Sequence, residues 1–330
     1  MSEINSSSRP EASAYDTEMG WNGSEVVSGA PRKESTVTLV TQVLSRLCWL
    51  LTGVLGALCF LPGLPAALTA HLVPRGSCNL DKQRSFKDIA TEYDGGKITA
   101  HQFHFAYEKY TSSLRCKPGL NVAEIGLGCF SGKIAGASVS VWMEYFPLAN
   151  ITLFEYNATC AKNFFDTDPY HVGLDLHKRF RIFSGDQSLE SDLSQFLERA
   201  PFDVIVDDGG HSMIQQITSL RYLFPLLKPG GVYFLEDLLT SYFWFDGPWH
   251  VDPEKSLKGT TTTQYISKLV DVLHFDTQNY LDAIDTRRFP GLLELAPLVK
   301  SVDCFRKLCV LTRWHDGYDP GFSMPRAPPA

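Results

Sequence analysis

The chain has 330 residues, 44% of them hydrophobic, and carries a formal net charge of −7 at pH 7. This length and composition allow a sizeable core and exclude a protein that is disordered throughout. The acidic balance, without Lys/Arg-rich runs, argues against a protein that binds phosphate backbones, so nucleic acid is not an expected partner. The eight cysteines show neither C-x-x-C nor zinc-like spacing, which predicts reduced, individually packed thiols.

The N-terminal part of the chain changes character abruptly. Its first 45 residues are rich in Ser, Glu, Gly and Pro, whereas residues 47–68 contain no charged side chain and are long enough to cross about 30 Å of hydrocarbon as a helix. We interpret this stretch as a membrane anchor; a signal peptide or a buried or interfacial helix are the alternatives. The predicted organisation is a disordered tail (1–45), a transmembrane anchor (46–70), a linker (71–84), an α/β domain (85–315) and a flexible tail (316–330).

From about residue 120 the chain alternates short apolar runs with helical stretches. This pattern predicts a doubly wound, mostly parallel sheet of the Rossmann-like α/β class, and Ser301–Trp314 predicts an antiparallel hairpin at its edge. A helix over Met213–Leu227 and a turn over Lys228–Gly231 precede the last parallel strand. The predicted parallel strands are Leu120–Ile125, Ile151–Glu155, Phe180–Phe183, Phe202–Val206 and Val232–Leu235.

The loop after the first predicted strand has the composition of a nucleotide-binding turn. Gly126 and Gly128 allow a tight turn and close approach of the backbone to a ligand, and Glu124 precedes them. Ser131 stands where a dinucleotide fingerprint has its third glycine. The spacing therefore favours S-adenosylmethionine over a pyrophosphate ligand.

Acidic residues follow the next two strands as well. Glu155 is placed to accept hydrogen bonds from two ribose hydroxyls, and Asp186 to accept one from an adenine amino group. A solvated strand-end or helix-capping carboxylate is the alternative for each acid alone. Their repetition at successive strand ends favours a nucleoside pocket without a phosphate cradle.

Three carboxylates follow the fourth and fifth strands. Asp208 ends the fourth, and Glu236 and Asp237 end the fifth. Adjacent parallel strands bring their carboxyl ends together, and oxygen ligands with room for water suit Mg²⁺. A magnesium site formed by these three residues is therefore predicted.

A histidine lies beside the predicted magnesium site. His211 follows Asp208 across Gly209 and Gly210, which are expected to let the backbone turn the imidazole toward the cation. A neutral imidazole there can accept a proton from a hydroxyl whose pKa the metal has lowered. Ser212 and Gln215 predict a capping box, so His211 is not needed as the helix cap.

Several segments together resemble the macrolide-sugar, mycinamicin-type O-methyltransferases, a class I family that depends on S-adenosylmethionine and Mg²⁺. The resemblance covers roughly residues 85–313. It implies that Asp208, Glu236 and Asp237 bind the metal and that His211 is the catalytic base; Gln187 and Asp207 fall in its motifs and are expected to bind the cofactor. The segments are EYDGGKITAHQFHFAYEKY (from Glu92), EIGLGCFSG (from Glu124), SVSVWMEYFP (from Ser138), GDQS (from Gly185), VDDGGH (from Val206) and LFPLLKPGGVYFLEDLLTSY (from Leu223).

The sequence thus predicts a membrane-tethered O-methyltransferase whose acceptor is a sugar hydroxyl, or a diol or phenol of a secondary metabolite. An anchored binding protein without catalysis and a nicotinamide-dependent oxidoreductase are the alternatives; a homo-oligomer is left open. Ser241–Trp249 is expected to form an acceptor wall or to close the core. Because S-adenosylmethionine is made in the cytosol and a glycan on Asn157 would obstruct the pocket, we expect a cytosolic domain with Asn150 and Asn157 unmodified.

Overall fold

The computed structural model describes residues 78–93, 95–130, 135–167, 178–242, 259–275 and 278–317. The predicted tail and anchor, the first half of the linker, most of the C-terminal tail and most of the aromatic segment after Ser241 lie outside these ranges. Within them, none of the helices combines the length and the apolar character needed to cross a membrane.

The core of the fold is a seven-stranded sheet. Its strands are β1 (Asn121–Ile125), β2 (Asn150–Glu155), β3 (Phe180–Ser184), β4 (Phe202–Asp207), β5 (Leu227–Leu235), β6 (Val299–Phe305) and β7 (Leu308–Arg313). The order across the sheet is β3-β2-β1-β4-β5-β7-β6. The first five strands are parallel, whereas β7 runs antiparallel to both β5 and β6. The predicted mostly parallel sheet with an antiparallel hairpin is confirmed.

Helices pack on both faces of this sheet because alternate strand residues point to opposite sides. Val122 and Val204 lie in one apolar cluster with Trp142, and Ala123 and Ile205 lie in the other. The α-helices are α1 (Phe86–Tyr93), α2 (Gly95–Thr99), α3 (His104–Thr111), α4 (Ala137–Tyr145), α5 (Ala158–Thr167), α6 (Glu190–Leu193), α7 (Met213–Leu223), α8 (Thr262–His274), α9 (Gln278–Asp282) and α10 (Leu292–Leu295).

The helix predicted over Met213–Leu227 is shorter in the structure. It ends at Leu223 and is followed by a 3-10 turn containing Pro225, which cannot continue an α-helical hydrogen-bond ladder. The predicted turn at Lys228–Gly231 lies inside β5, where the pairing with β4 is irregular. The prediction missed this strand start because a Lys-Pro-Gly-Gly sequence is typical of a turn.

The prediction of reduced, separate thiols is wrong for the described part of the chain. Its six cysteines form three disulfides, which join residues 38, 31 and 5 positions apart. Two of these pairs bring together distant loops or helices, and the third joins neighbouring strands of the β6–β7 hairpin. Cysteine spacing along the chain cannot reveal such pairs. The disulfides are Cys78–Cys116, Cys129–Cys160 and Cys304–Cys309.

Candidate active site

A cavity of about 640 Å³ opens at the carboxyl ends of the parallel strands, where α/β sheets bind their ligands. One side is formed by the loop after β1 and by the residues that follow β2. The other side is formed by the loop between β4 and α7, together with Asp237 after β5. The sequence-predicted residues that line it are Gly126, Gly128, Glu155, Gln187, Asp208, His211 and Asp237.

Gly126 brings the loop after β1 against the loop after β4. Its φ is +100°, and a Cβ atom there would lie 2.1 Å from the carbonyl oxygen of Asp208. The Asp208 N–H also donates to the Ile125 carbonyl at 3.0 Å. A side chain at Gly126 would therefore force the two loops apart. Ser131, the fourth predicted residue of this region, lies outside the described residues.

Glu155 is buried at the end of β2 and fixes the base of the cavity. Its Oε2 accepts a hydrogen bond from the Leu127 N–H at 2.9 Å, and its Oε1 accepts one from the Asn157 N–H at 2.8 Å. Each carboxylate oxygen can accept a further hydrogen bond, so the pair keeps capacity for two ribose hydroxyls. The backbone contacts hold the carboxylate in place for that role.

Three of the four predicted cofactor acids do not line the cavity, and two of these, Asp186 and Glu124, have structural partners nearby. Asp186 accepts a hydrogen bond from the Ser188 N–H at 2.8 Å, which is the local turn role that the sequence left open. Glu124 is fully buried and accepts a hydrogen bond from Ser138 Oγ at 3.0 Å. Burial raises the pKa of its carboxyl to about 7, against the opposing charge of Lys97.

Gln187 and Asp207 form a buried network beneath the loop that follows β4. Gln187 Nε2 donates to Asp207 Oδ1 at 3.1 Å, and Gln187 Oε1 accepts from the Gly210 N–H at 2.7 Å. Tyr233 and Ser219 donate to Asp207 Oδ2. Burial raises the pKa of Asp207 despite these hydrogen bonds. Gln187 reaches the cavity wall, whereas Asp207 supports the loop from below.

Asp208, His211 and Asp237 converge at the cavity. One possible ligand atom from each lies within 4.8 Å of the others. His211 Nε2 lies 3.6 Å from Asp237 Oδ2 and 3.8 Å from Asp208 Oδ1. Burial opposes the ionisation of Asp237, but neighbouring His101, His211 and Lys97 outweigh it and hold the pKa of this carboxyl below its ordinary value.

Glu236 is not part of this three-residue cluster and contacts side chains of the N-terminal helices. Lys97 Nζ lies 2.8 Å from its Oε1 and 3.0 Å from its Oε2, and Tyr107 donates a short hydrogen bond to Oε1. Sequence reasoning missed Lys97 and Tyr107. They occur within the segment EYDGGKITAHQFHFAYEKY, but the partners of Lys97 lie 111 and 139 positions away, so local spacing carries no signal.

The loop that carries His211 differs in detail from the expectation. His211 itself has a positive φ of 56°, so the left-handed turn is made at the histidine rather than at the glycines before it. Gly209 and Gly210 instead make room for glutamine side chains: a Cβ there would lie 1.9 Å from Gln187 Oε1 and 2.2 Å from Gln215 Oε1. The capping box of Ser212 and Gln215 is confirmed.

The donor set of this cluster fits a hard divalent cation. Two carboxylates face one cavity, and Asp237 Oδ1 is buried without a well-formed hydrogen bond among the described residues, although His101 Nδ1 lies 3.2 Å away. Carboxylate oxygens that are held together and left unsatisfied suit Mg²⁺. Asp208 and Asp237 are placed to hold it, and Glu236 would need to share its oxygens with Lys97.

Comparison with known proteins shows sequence similarity to O-methyltransferases. No protein-family model matches the sequence. The chain is 31% identical over 216 residues to the 8-demethyl-8-(2-methoxy-alpha-L-rhamnosyl)-tetracenomycin-C 3'-O-methyltransferase of Streptomyces olivaceus, covering 64% of this chain and 49% of that protein. It is 29% identical over 196 residues to the mycinamicin VI 2''-O-methyltransferase of Micromonospora griseorubida, covering 59% and 44%. The chain spans about half the length of the curated relatives it matches.

A solved structure shows the same architecture. The MycE methyltransferase of the mycinamycin biosynthetic pathway, in complex with Mg and SAH, aligns with a TM-score of 0.54 at 25% identity, over 74% of this chain and 58% of that one. The chain is similar to the macrolide-sugar O-methyltransferases. The resemblance predicted from the motifs is confirmed, and the described domain has the class I methyltransferase fold.

Proposed function

We propose that this protein is an O-methyltransferase that depends on S-adenosylmethionine and Mg²⁺ and methylates a hydroxyl of a sugar or related small molecule. The observation that supports it most directly is the convergence of Asp208, Asp237 and His211 on a cavity whose other wall is a glycine loop and a strand-end carboxylate. The relatives' names, which include rhamnosyl and olivosyl groups, support a glycoside acceptor.

In this proposal S-adenosylmethionine supplies an electrophilic methyl group, and Mg²⁺ supplies a Lewis acid beside the acceptor hydroxyl. Asp208 and Asp237 would hold the cation, together with Glu236, whose oxygens it would share with Lys97. His211 Nε2 accepts the proton of the acceptor hydroxyl, and the carboxylates beside it stabilise the resulting imidazolium. Glu155 orients the donor through its ribose hydroxyls. The protein therefore contributes orientation, proton transfer and a shielded cavity.

The experiment that tests the cofactor is calorimetry with two ligands. We expect S-adenosylhomocysteine to bind in the micromolar range, because Glu155 offers the cavity an acid for the ribose hydroxyls, and we expect no binding of NAD. Tighter binding of NAD than of S-adenosylhomocysteine would contradict the proposal and favour an oxidoreductase.

The experiment that tests catalysis uses radiolabelled S-adenosylmethionine with a panel of glycosides and phenols. Chelation with EDTA should abolish methyl transfer and added Mg²⁺ should restore it, because the proposed Lewis acid is the cation and the carboxylates only hold it. Asp208→Asn and Asp237→Asn should each abolish transfer without unfolding the protein. Full activity in EDTA would show that the carboxylate cluster has a structural role and that methyl transfer does not depend on a metal.

The proposed membrane anchor and cytosolic orientation rest on the sequence alone. The three disulfides count against that orientation, because disulfides are rare where glutathione keeps thiols reduced. Protease protection of sealed membranes tests it: a cytosolic domain is digested from outside an intracellular vesicle and a luminal one is not. Glycosidase-sensitive mass at Asn150 or Asn157 would likewise exclude the cytosolic orientation.

A further inference from the structure

A lysine of the chain itself already occupies part of the predicted cation site. Lys97 Nζ lies 2.8 Å from Asp208 Oδ2 and 2.8 Å from Glu236 Oε1, so one ammonium bridges two of the three proposed metal ligands. The side chains of Lys97 and Glu236 are only 7% and 1% exposed. A lysine is almost never buried to this extent unless it is paired.

Two N-terminal helices carry this lysine and one of the residues that surround it. Lys97 lies on the short helix α2, and Tyr107 on α3 donates to the same Glu236 oxygen that Lys97 contacts. The ammonium also lies 5.8 Å from the centroid of the Tyr107 ring. Glu236, Asp208 and the tyrosine ring thus surround the ammonium. Its position therefore depends on the carboxylates, and their position depends on it.

The oxygens that Lys97 contacts are those that a divalent cation needs. A positive charge fixed beside Asp208 and Glu236 weakens their attraction for a second cation, and the effect is large where water is excluded. The same charge keeps two buried carboxylates from facing each other uncompensated before the ion arrives. The lysine therefore stabilises the ion-free protein, and it weakens the binding of the ion.

We propose that Lys97 is a positioning residue that serves as an internal monovalent cation: it stabilises Asp208 and Glu236 in the metal-free protein and lowers the affinity of the site for Mg²⁺. This inference rests on the proposed function, because it assumes that a divalent cation binds these carboxylates. Lys97 thereby weakens the binding of the ion while keeping its ligands in place.

Lys97→Met tests the inference, because methionine keeps an unbranched side chain as far as the ε-carbon and removes the charged ammonium group. The matched control is Lys109→Met, which removes a lysine whose ion pair with Asp303 lies at the surface. Calorimetric titration of Mg²⁺ into protein saturated with S-adenosylhomocysteine gives the affinity, and melting temperatures in EDTA and in Mg²⁺ give the stability.

We expect the Kd for Mg²⁺ to fall about tenfold in Lys97→Met, since a repelling charge is removed. Its melting temperature should drop in EDTA and should rise with Mg²⁺ by more than that of the wild type, because the ion then compensates the buried carboxylates. Lys109→Met and the charge-retaining Lys97→Arg should respond to Mg²⁺ as the wild type does.

A double variant covers the case in which Lys97→Met fails to fold in EDTA. Lys97→Met with Glu236→Gln removes both charges and should regain folding without Mg²⁺; continued unfolding would overturn the charge argument. Equal or weaker Mg²⁺ affinity in Lys97→Met than in the wild type would overturn the inference alone. Absence of Mg²⁺ binding by the wild type would overturn the proposed function and this inference with it.

Discussion

His211 and Asp237 both have positive φ angles, 56° and 50°, although neither is glycine. Such backbone conformations cost about 1–3 kcal/mol each and concentrate at functional sites, where the surrounding structure holds them. Thr240 supplies part of that support, because its Oγ1 lies 2.9 Å from the carbonyl oxygen of His211 and 3.1 Å from that of Asp237. One hydroxyl therefore contacts the backbone of both residues.

The first prediction concerns His211 as the base. His211→Ala should lower kcat by about 10²- to 10⁴-fold, the usual contribution of general-base catalysis, and should leave the affinity for S-adenosylhomocysteine nearly unchanged. The acidic limb of the pH–rate profile should also disappear, because a general base that is already protonated cannot accept the proton of the acceptor hydroxyl. Steady-state kinetics across pH and calorimetry measure both effects.

Ser212→Ala is the matched control for this prediction. It removes the capping hydroxyl of α7 and should cost about 1 kcal/mol of stability with little loss of rate. If His211→Ala kept the wild-type rate and the acidic limb, a carboxylate or a water molecule would have to serve as the base.

The second prediction follows from the raised pKa of Glu124. In the unfolded chain this carboxyl ionises near its ordinary value of 4.5, whereas burial raises its folded pKa to about 7. Between these values the folded protein holds a proton that the unfolded chain has released. The free energy of unfolding therefore falls as pH rises through this window, by up to about 3 kcal/mol.

Glu124→Gln is neutral at every pH and should remove this loss. Urea unfolding without ligands should give similar stabilities for variant and wild type at pH 4, and a more stable variant at pH 7.5. Parallel pH profiles for the two proteins would show that Glu124 is ionised in the folded state throughout.

At the scale of secondary-structure elements, the loops after β1 and β4 are built to touch. The N–H of Gly126 donates to the Phe154 carbonyl at 2.8 Å, and its α-carbon faces the Asp208 carbonyl without room for a Cβ. The role of such a glycine is to let two backbone segments approach closely, and not to make the chain flexible. The loop after β1, which would hold the methyl donor, and the loop after β4, which carries Asp208, are consequently fixed against each other.

The third prediction tests that contact. Gly126→Ala should sharply weaken the binding of S-adenosylhomocysteine, because the new methyl group would push the Asp208 loop away from the cavity. Gly119→Ala is the matched control, since Gly119 also has a positive φ, of 68°, but a Cβ atom there would have no heavy atom within 4 Å. It should show only the backbone cost of about 1–3 kcal/mol in stability. Equal ligand affinity in both variants would contradict the steric argument.

At the scale of the whole molecule, the three disulfides of the described residues close loops of very different length. The first closes a loop of 38 residues that contains the helices carrying Lys97 and Tyr107. The second joins the loop after β1 to α5. The third closes only the β6–β7 hairpin. Cross-links that close longer loops restrict the unfolded chain more strongly.

The fourth prediction uses this difference in loop length. Replacing Cys78 and Cys116 together by serine should lower the free energy of unfolding by about 4 kcal/mol, whereas the same change at Cys304 and Cys309 should lower it by about 2 kcal/mol. Chemical denaturation under non-reducing conditions measures both. If the described cysteines of the native protein were open to alkylation, the pairing itself would be wrong.

The sequence predicted those features that depend on local order. Each parallel strand except β5 was placed within one residue at either end, because apolar runs bounded by polar clusters are local signals. The positions of Asp208 and His211 followed from the rule that strand ends converge. Lys97 and two of the disulfides could not be predicted in this way, because the contact partners lie 31 to 139 positions away and only the folded chain brings them together.

The close approach of Gly126 to the carbonyl of Asp208 has a thermodynamic consequence. The loop that would hold the donor touches the backbone of Asp208, a proposed ligand of the cation, so a shift of one loop must move the other. Any factor by which S-adenosylhomocysteine changes the affinity for Mg²⁺ must equal the factor by which Mg²⁺ changes the affinity for S-adenosylhomocysteine. Two loops in contact would thus couple the two binding equilibria, and the protein would respond to its methyl donor and its metal as one reciprocal pair.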